Sequence, residues 1–268
     1  MNEQEIKTAL SSSRVIHVDE TGLYEMSKRI WLHSTSTPSC TYYHADKKRG
    51  KEAMDNAGIL PGFKGVAVHD HWPSYKHYET CDHACCNVHH IRELQRADEQ
   101  DHKPWAKDLK ELLHKIKDTV DTAREKGKGH LPVGQVDLFQ KKYRTLIDAA
   151  KKEYPTPPPR EKGKRGRVKQ GKSKNLLDRL DRCERDTVRF MYDFNVPFDN
   201  NLAERDLRMI KVKQKISGTF RSQEGSAFFC RIRGSISTWK KQGENILEVL
   251  TQSFMTNPIQ PRISCTSE

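Results

Sequence analysis

Short apolar and β-branched runs alternate with polar breaks over the first ninety or so residues. Val15 to Thr21, Arg29 to Thr35 and Cys40 to His44 each read as a strand, with Pro38 and Ser39 marking a turn. Their short connections predict an antiparallel meander. Lys51 to Asn56 has a short helical pattern, stopped by Gly58 and Pro61-Gly62. Gly65 to Asp70 predicts a fourth strand, Pro73 to Tyr78 one or two helical turns, and Ala84 to His89 a fifth strand. The spacing changes at Ile91, where a helical region runs past Lys117. Trp105, Leu109, Leu112, Leu113, Ile116 and Val120 recur at helical intervals, and Leu138, Tyr143, Leu146 and Ile147 mark another helix. Leu176 to Phe194 predicts a further helix with Leu177, Leu180, Val188 and Met191 inward. After Val196-Pro197-Phe198, Asn200 or Asn201 is placed to cap a helix from about Leu202 to Lys213. Ser226 to Lys241 and Asn245 to Phe254 close the pattern as helices, with Gly218 and Gly225 as interruptions.

This order predicts an α/β fold: a mixed sheet flanked by helices, divided by a long helical insertion. The expected divisions are an N-terminal extension over 1–13, a first core part over 14–90 and a helical insertion over 91–195. A second, helical core part over 196–256 and a tail over 257–268 follow. Within the insertion, 155–174 is a proline-rich and then basic loop. It holds Arg160, Lys162, Lys164, Arg165, Arg167, Lys169, Lys172 and Lys174 against the single acid Glu161. With almost no apolar residue, it reads as a solvated linker or as an arm that follows DNA phosphates.

Composition narrows the function. The formal net charge is +12 and the sequence pI about 9.3, which favours a polyanionic partner. Mean hydropathy is −0.87 and no apolar run approaches the roughly 18 residues needed to cross a bilayer, so no membrane role is expected. The polar start lacks the apolar stretch of a signal peptide, and seven cysteines, mostly scattered, suit a reducing cytoplasm.

Three acids carry the candidate chemistry. Asp19 and Asp70 each close a β-branched run, and Glu204 lies near the start of a cation-rich helix. Side chains at strand ends are held by rigid backbone yet reach solvent. Gathered together, three carboxylates suit divalent cations, and a pair of such ions drives in-line displacement at a phosphodiester. Taken singly, each acid reads as a turn, cap or surface residue. Arg208, Lys211 and Lys215 share a helical face with Glu204 and are candidate phosphate contacts. The cluster Cys81, His83, Cys85, Cys86, His89 and His90 has zinc-ligand chemistry, but in a strand alternate side chains diverge, so four ligands do not converge easily. His69, His71, His89 and His90 are possible substrate contacts, and Trp72, Tyr75 and Tyr78 suit either base stacking or plain packing.

Several motifs in order resemble one family. His17-Val18-Asp19-Glu20-Thr21-Gly22, Lys48-Arg49-Gly50-Lys51-Glu52-Ala53, Gly58-Ile59-Leu60-Pro61, Val68-His69-Asp70-His71-Trp72 and Cys86-Asn87-Val88-His89-His90-Ile91-Arg92-Glu93-Leu94 are similar to the transposases of the insertion sequence 66 family. So are Asn200-Asn201-Leu202-Ala203-Glu204-Arg205-Asp206-Leu207-Arg208 and Lys215-Ile216-Ser217-Gly218 with Phe220-Arg221-Ser222. The resemblance runs from about residue 14 to 255. It implies an RNase H-like catalytic domain whose DDE triad falls on Asp19, Asp70 and Glu204, with Mg²⁺ or Mn²⁺ as cofactor. It further implies cleavage and joining of DNA strands at element ends and target, in a bacterial cytoplasm at the nucleoid. Assembly of several copies on DNA, with helper proteins, is expected. The family's N-terminal zinc-binding and DNA-recognition region has no room ahead of Asp19, so a shortened copy or fragment is expected. A metal-dependent nuclease on the same fold and a non-catalytic DNA-binding remnant are the alternative expectations.

Overall fold

In a computed structural model, residues 3–154 and 170–255 are described. They fall into two compact units. One is drawn from Met1–Cys85 and Asn200–Glu268, the other from Cys86–Asp199.

The first unit is built on a five-stranded mixed sheet: β1 (Val15–Glu25), β2 (Lys28–Ser36), β3 (Thr41–Asp46), β4 (Val66–His69) and β5 (Asp82–Cys85). The order across it is β3-β2-β1-β4-β5. The meander pairs β1 with β2 and β2 with β3 antiparallel, while β4 joins β1, and β5 joins β4, in parallel. With helices on its faces, this is an RNase H-like α/β arrangement. β4 is buried along its whole length, as expected of a central parallel strand.

Alternation along the strands gives each face its own core. One face carries Ile16, Val18, Tyr42 and Ala67 against Met54, Phe63, Tyr75 and the pair Ile6 and Leu10. Ile6 and Leu10 belong to α1 (Glu3–Ser11), a helix where the sequence suggested only a polar extension. Their four-residue spacing was its signal. Met54 lies on α2 (Lys51–Ala57). The opposite face joins Leu23, Ile30, Leu32 and Tyr43 to Leu207, Ile210, Phe220 and Cys230. Leu207 and Ile210 lie on α9 (Asn201–Ser217) and Cys230 on α10 (Gln223–Lys241); α11 (Ile246–Ser253) follows.

Three local features depart from the sequence reading. β1 and β2 extend beyond the expected ends and meet at Met26 and Ser27, which have φ of 48° and 63°. Left-handed backbone costs energy at such residues, and no Gly or Asn announces the turn. Tertiary bonds hold it: Met26 N donates to Phe220 O at 2.7 Å, and Phe220 N donates to Tyr24 O at 2.8 Å. The fifth strand is Asp82–Cys85 rather than Ala84–His89, because helix begins at Asn87. Gly225 lies inside α10, whose N-cap Ser222 accepts from Gly225 N.

The second unit is helical. α3 (Asn87–Glu99), α4 (Pro104–Glu125) and α5 (Val133–Lys151) precede α6 (Lys172–Arg182), α7 (Glu184–Thr187) and α8 (Arg189–Tyr192). The single helix expected from Ile91 past Lys117 is broken before Pro104. Proline lacks an N–H and pushes its predecessor out of helical backbone, and Lys103 is extended. The helix expected over Leu176 to Phe194 is likewise three pieces, split at Cys183 and Val188. Leu177, Leu180, Val188 and Met191 are buried as predicted, but Leu138 is exposed and Phe139 takes its place inside. Lys172 and Lys174, expected in the basic loop, lie in α6. Arg165, Arg167 and Lys169 fall outside the described residues. Among the described residues no helix is long and apolar enough to cross a membrane.

The parallel pairing of β1 with β4 depends on a glycine. A Cβ at Gly65 would lie 2.4 Å from Arg14 O and 2.8 Å from Ser13 O, backbone atoms that cannot yield. Val66 N donates to Arg14 O at 2.8 Å at the same place. Gly65→Ala is expected to destabilise the protein by about 2 kcal/mol in urea unfolding, well above a typical surface change. An unchanged midpoint would show that the strands tolerate a wider separation.

Candidate active site

Two acids are brought together by strand register. Val15, Ile16 and His17 of β1 face Val66, Ala67 and Val68 of β4. The pairing ends there, with β4 closing at His69; Asp19 follows two residues on along β1 and Asp70 is the first residue past β4, so the register directs both toward the same end of the sheet. Leu23, Ile30 and Leu32 pack against α9, and alternation puts Asp19 on that face of the sheet.

The third acid arrives on α9, in its first turn. Asn200 occupies the N-cap position, as the sequence suggested, but its side chain does not cap the helix. Instead its Nδ2 donates to Val18 O at 2.9 Å, and its Oδ1 accepts from His17 Nδ1, also at 2.9 Å. The two residues before Asp19 are therefore tied to the residue four before Glu204. Asn200 and His17 are both buried. Neither was singled out for this role; the signal available was Asn200 standing within the same motif as Glu204.

A second clamp holds the opposite side of α9. The Asp206 carboxylate accepts from Ser36 Oγ at 2.5 Å, Thr41 Oγ1 at 3.2 Å and Lys241 Nζ at 2.7 Å. Tyr43 Oη also donates to Asp206 O at 2.9 Å. Asp206 and Lys241 side chains are only 10% and 13% exposed. Burial lowers the Lys241 pKa, and Asp206 offsets part of that. Breaking a buried pair leaves a charge without compensation, so this clamp fixes the helix strongly.

Electrostatics report how the three acids stand. The Asp19 carboxyl is pushed up to about 7, first by burial, then by the Glu20 carboxylate, with Asp70 and Glu204 adding to the rise. The Glu20 N–H donates to Asp19 Oδ1 at 2.8 Å and partly opposes this. Asp70 and Glu204 thus both lie close enough to act on Asp19. Asp70 Oδ1 accepts from Trp72 N at 3.1 Å. Glu20 itself points to the other face, where its carboxylate takes Arg49 Nε at 2.9 Å, Arg49 Nη2 at 2.8 Å and Tyr75 Oη at 2.5 Å. Burial raises the Glu20 pKa, with Tyr75 and Arg49 offsetting it.

The remaining candidates divide. Arg208, Lys211 and Lys215 are exposed on α9, in one row with Glu204. His69 is fully buried, stacked 4.5 Å from Tyr75 and bonded at 3.0 Å to His83 Nδ1. Burial holds its pKa well below the ordinary value, so it is a neutral core residue rather than a substrate contact. His83 Nε2 donates to Tyr78 O at 3.1 Å, so both its ring nitrogens are occupied, and Cys81 packs in the core beside them. Tyr75 and Tyr78 are buried in that core, not presented to bases. His90 is buried within the helical unit, 3.3 Å from Asn87 Oδ1.

A family model described as Transposase IS66 family matches residues 1–227. The chain belongs to the IS66 transposase family. The match spans all three acids of this transposase and both clamps of α9 except Lys241, which lies beyond it. Membership implies a DNA-processing enzyme with DNA as substrate. A comparison with curated proteins finds no match.

The raised Asp19 pKa gives a signed expectation for the transposase. Its folded-state pKa of about 7 lies above the ordinary 3.8, so protonation favours the fold. That stability is present below about pH 4 and is lost as pH rises through about 7. In metal-free buffer, Asp19→Asn is therefore expected to melt at higher temperature than the unsubstituted protein at pH 8, with the gap closing toward pH 4. An equal difference at both pH values would contradict the charge crowding described.

Proposed function

We infer that this chain is the catalytic domain of a DDE transposase that cleaves DNA strands and joins them to new DNA with Mg²⁺ or Mn²⁺. What supports the reading is the placement of three carboxylates by β1, the end of β4 and the tied start of α9, with Asp19 buried among the charges of Glu20, Asp70 and Glu204. Crowded carboxylates repel one another, and a divalent cation relieves that repulsion. Their oxygens are the hard donors that Mg²⁺ and Mn²⁺ take. Asp19, Asp70 and Glu204 would hold the cations.

When bound, such ions lower the pKa of an attacking water or 3′-hydroxyl and stabilise the leaving oxygen of the phosphodiester. The protein supplies orientation. Asp19 lies on β1, Asp70 directly follows the neighbouring strand β4, and Glu204 sits on a helix tied to β1, which limits how far the donors drift as charge moves. No side chain needs to attack the phosphorus. Arg208, Lys211 and Lys215 hold phosphates along the exposed row beside Glu204, and Arg165, Arg167 and Lys169 add positive charge for DNA. The partners are element ends and target DNA, further copies of the chain assembled on that DNA, and helper proteins, in a bacterial cytoplasm.

Asp19→Asn, Asp70→Asn and Glu204→Gln are each expected to reduce Mg²⁺-dependent strand cleavage, and joining of a pre-cleaved 3′ end, to background. Circular dichroism should show the fold retained. Normal joining by any folded variant would remove that residue from the triad. Cleavage without joining by the unsubstituted chain would favour a nuclease.

A further inference from the structure

On the sheet face away from α9 runs a series of alternating cations and indoles. Arg29 Cζ lies 4.5 Å from the centre of the Trp31 ring. Arg49 Cζ lies 4.7 Å from the Trp31 ring and 3.9 Å from the Trp72 ring. The two faces meet at the edge left where β4 ends at His69 and β1 runs on. Trp72 N donates to Asp70, and Arg49 grips Glu20, the neighbour of Asp19.

Each member is held for presentation. The Arg49 side chain is 37% exposed, while its partner carboxylate on Glu20 is 1% exposed. Two of the five guanidinium N–H groups serve Glu20 Oε1. With indoles packed against the flat guanidinium, the other donors emerge in its own plane. Arg29 is exposed and lies across Gly22, where a Cβ would come within 3.0 Å of both Nε and Nη2. Among the described residues Arg29 has no carboxylate partner. A buried tie between Glu20 and Arg49 explains one arginine as structure. It does not explain a second, exposed one stacked on the same indole.

We propose that Arg29, Trp31, Arg49 and Trp72 form a clamp for DNA backbone phosphates flanking the one held at the three acids. The proposal rests on the reading of Asp19, Asp70 and Glu204 as the cleavage site. Backbone is favoured over bases because the indoles are already covered by guanidinium groups, and what remains on offer is in-plane N–H. Planar, pre-set arginines suit phosphate oxygens and lose little freedom on binding.

The test is fluorescence anisotropy of a labelled DNA duplex with a free 3′ end, in Ca²⁺ buffer to withhold chemistry, over a range of salt. Arg29→Gln and Arg49→Gln are each expected to lower the slope of log affinity against log salt by about one, and the double variant by about two. Affinity at 0.1 M salt should fall several-fold per substitution. Abasic positions in the duplex should leave the unsubstituted protein's affinity unchanged. Should Arg49→Gln fail to fold, Arg29→Gln on the surface carries the test alone. Unchanged slopes in folded variants would overturn the clamp, as would a strong loss at abasic positions that the arginine variants do not share. Mg²⁺ cleavage by the unsubstituted protein, run alongside, reads the catalytic assignment separately: loss of slope without any cleavage leaves the clamp standing and the assignment failed.

Discussion

Parallel pairing of β1 with β4 is the constraint from which the site follows. Their register directs Asp19 and Asp70 to the same end of the sheet. Two carboxylates so placed repel, and burial sharpens the repulsion because water no longer screens it. The arrangement persists because it is built into backbone hydrogen bonds rather than side-chain preferences. Close approach of the chains at Gly65 lets those bonds form. The Asp19 carboxyl is pushed up accordingly, first by burial and then by Glu20, with Asp70 adding to the rise. Strained or crowded groups of this kind survive where the surrounding structure over-determines them.

Glu204 joins the pair through a different device. The helix that carries it is tied at its start by the Asn200 amide to His17 and Val18, and on its far side by Asp206 to Ser36, Thr41 and Lys241. Apolar contact of Leu207 and Ile210 with Leu23, Ile30 and Leu32 fills the space between the ties. Hydrophobic burial sets the helix on the sheet, while directional bonds fix its rotation and height. Under the proposed mechanism, in which side chains only hold ions and phosphates, that precision is the main contribution the protein makes.

Much of this was legible in the sequence. The β-branched runs gave the strands; Asp70 follows the end of β4 as expected, but Asp19 lies inside β1, which runs on to Glu25 because β2 pairs with it that far. Helical stripes around Trp105 and Leu177 marked the inserted unit, because burial of one face writes its period into the residues. What escaped was decided by contacts distant in sequence. Met26 and Ser27 form a tight hairpin without glycine because Phe220 bonds to it. Helix takes over at Asn87, where the periodicity still allowed strand. Asn200 has the composition of a helix cap and spends its amide on β1 instead. Asp206 reads as one more charge on a charged helix until its partners on β2, β3 and α10 are seen. The polar opening residues conceal α1 because only Ile6 and Leu10 face inward.

Crystals grown with Mn²⁺ and measured near its absorption edge would decide whether the three acids share one metal site. Two anomalous peaks on the order of 4 Å apart are expected, with oxygens of Asp19, Asp70 and Glu204 as ligands. Peaks elsewhere, or Asp19 and Asp70 sharing ions that Glu204 does not reach, would contradict that shared site.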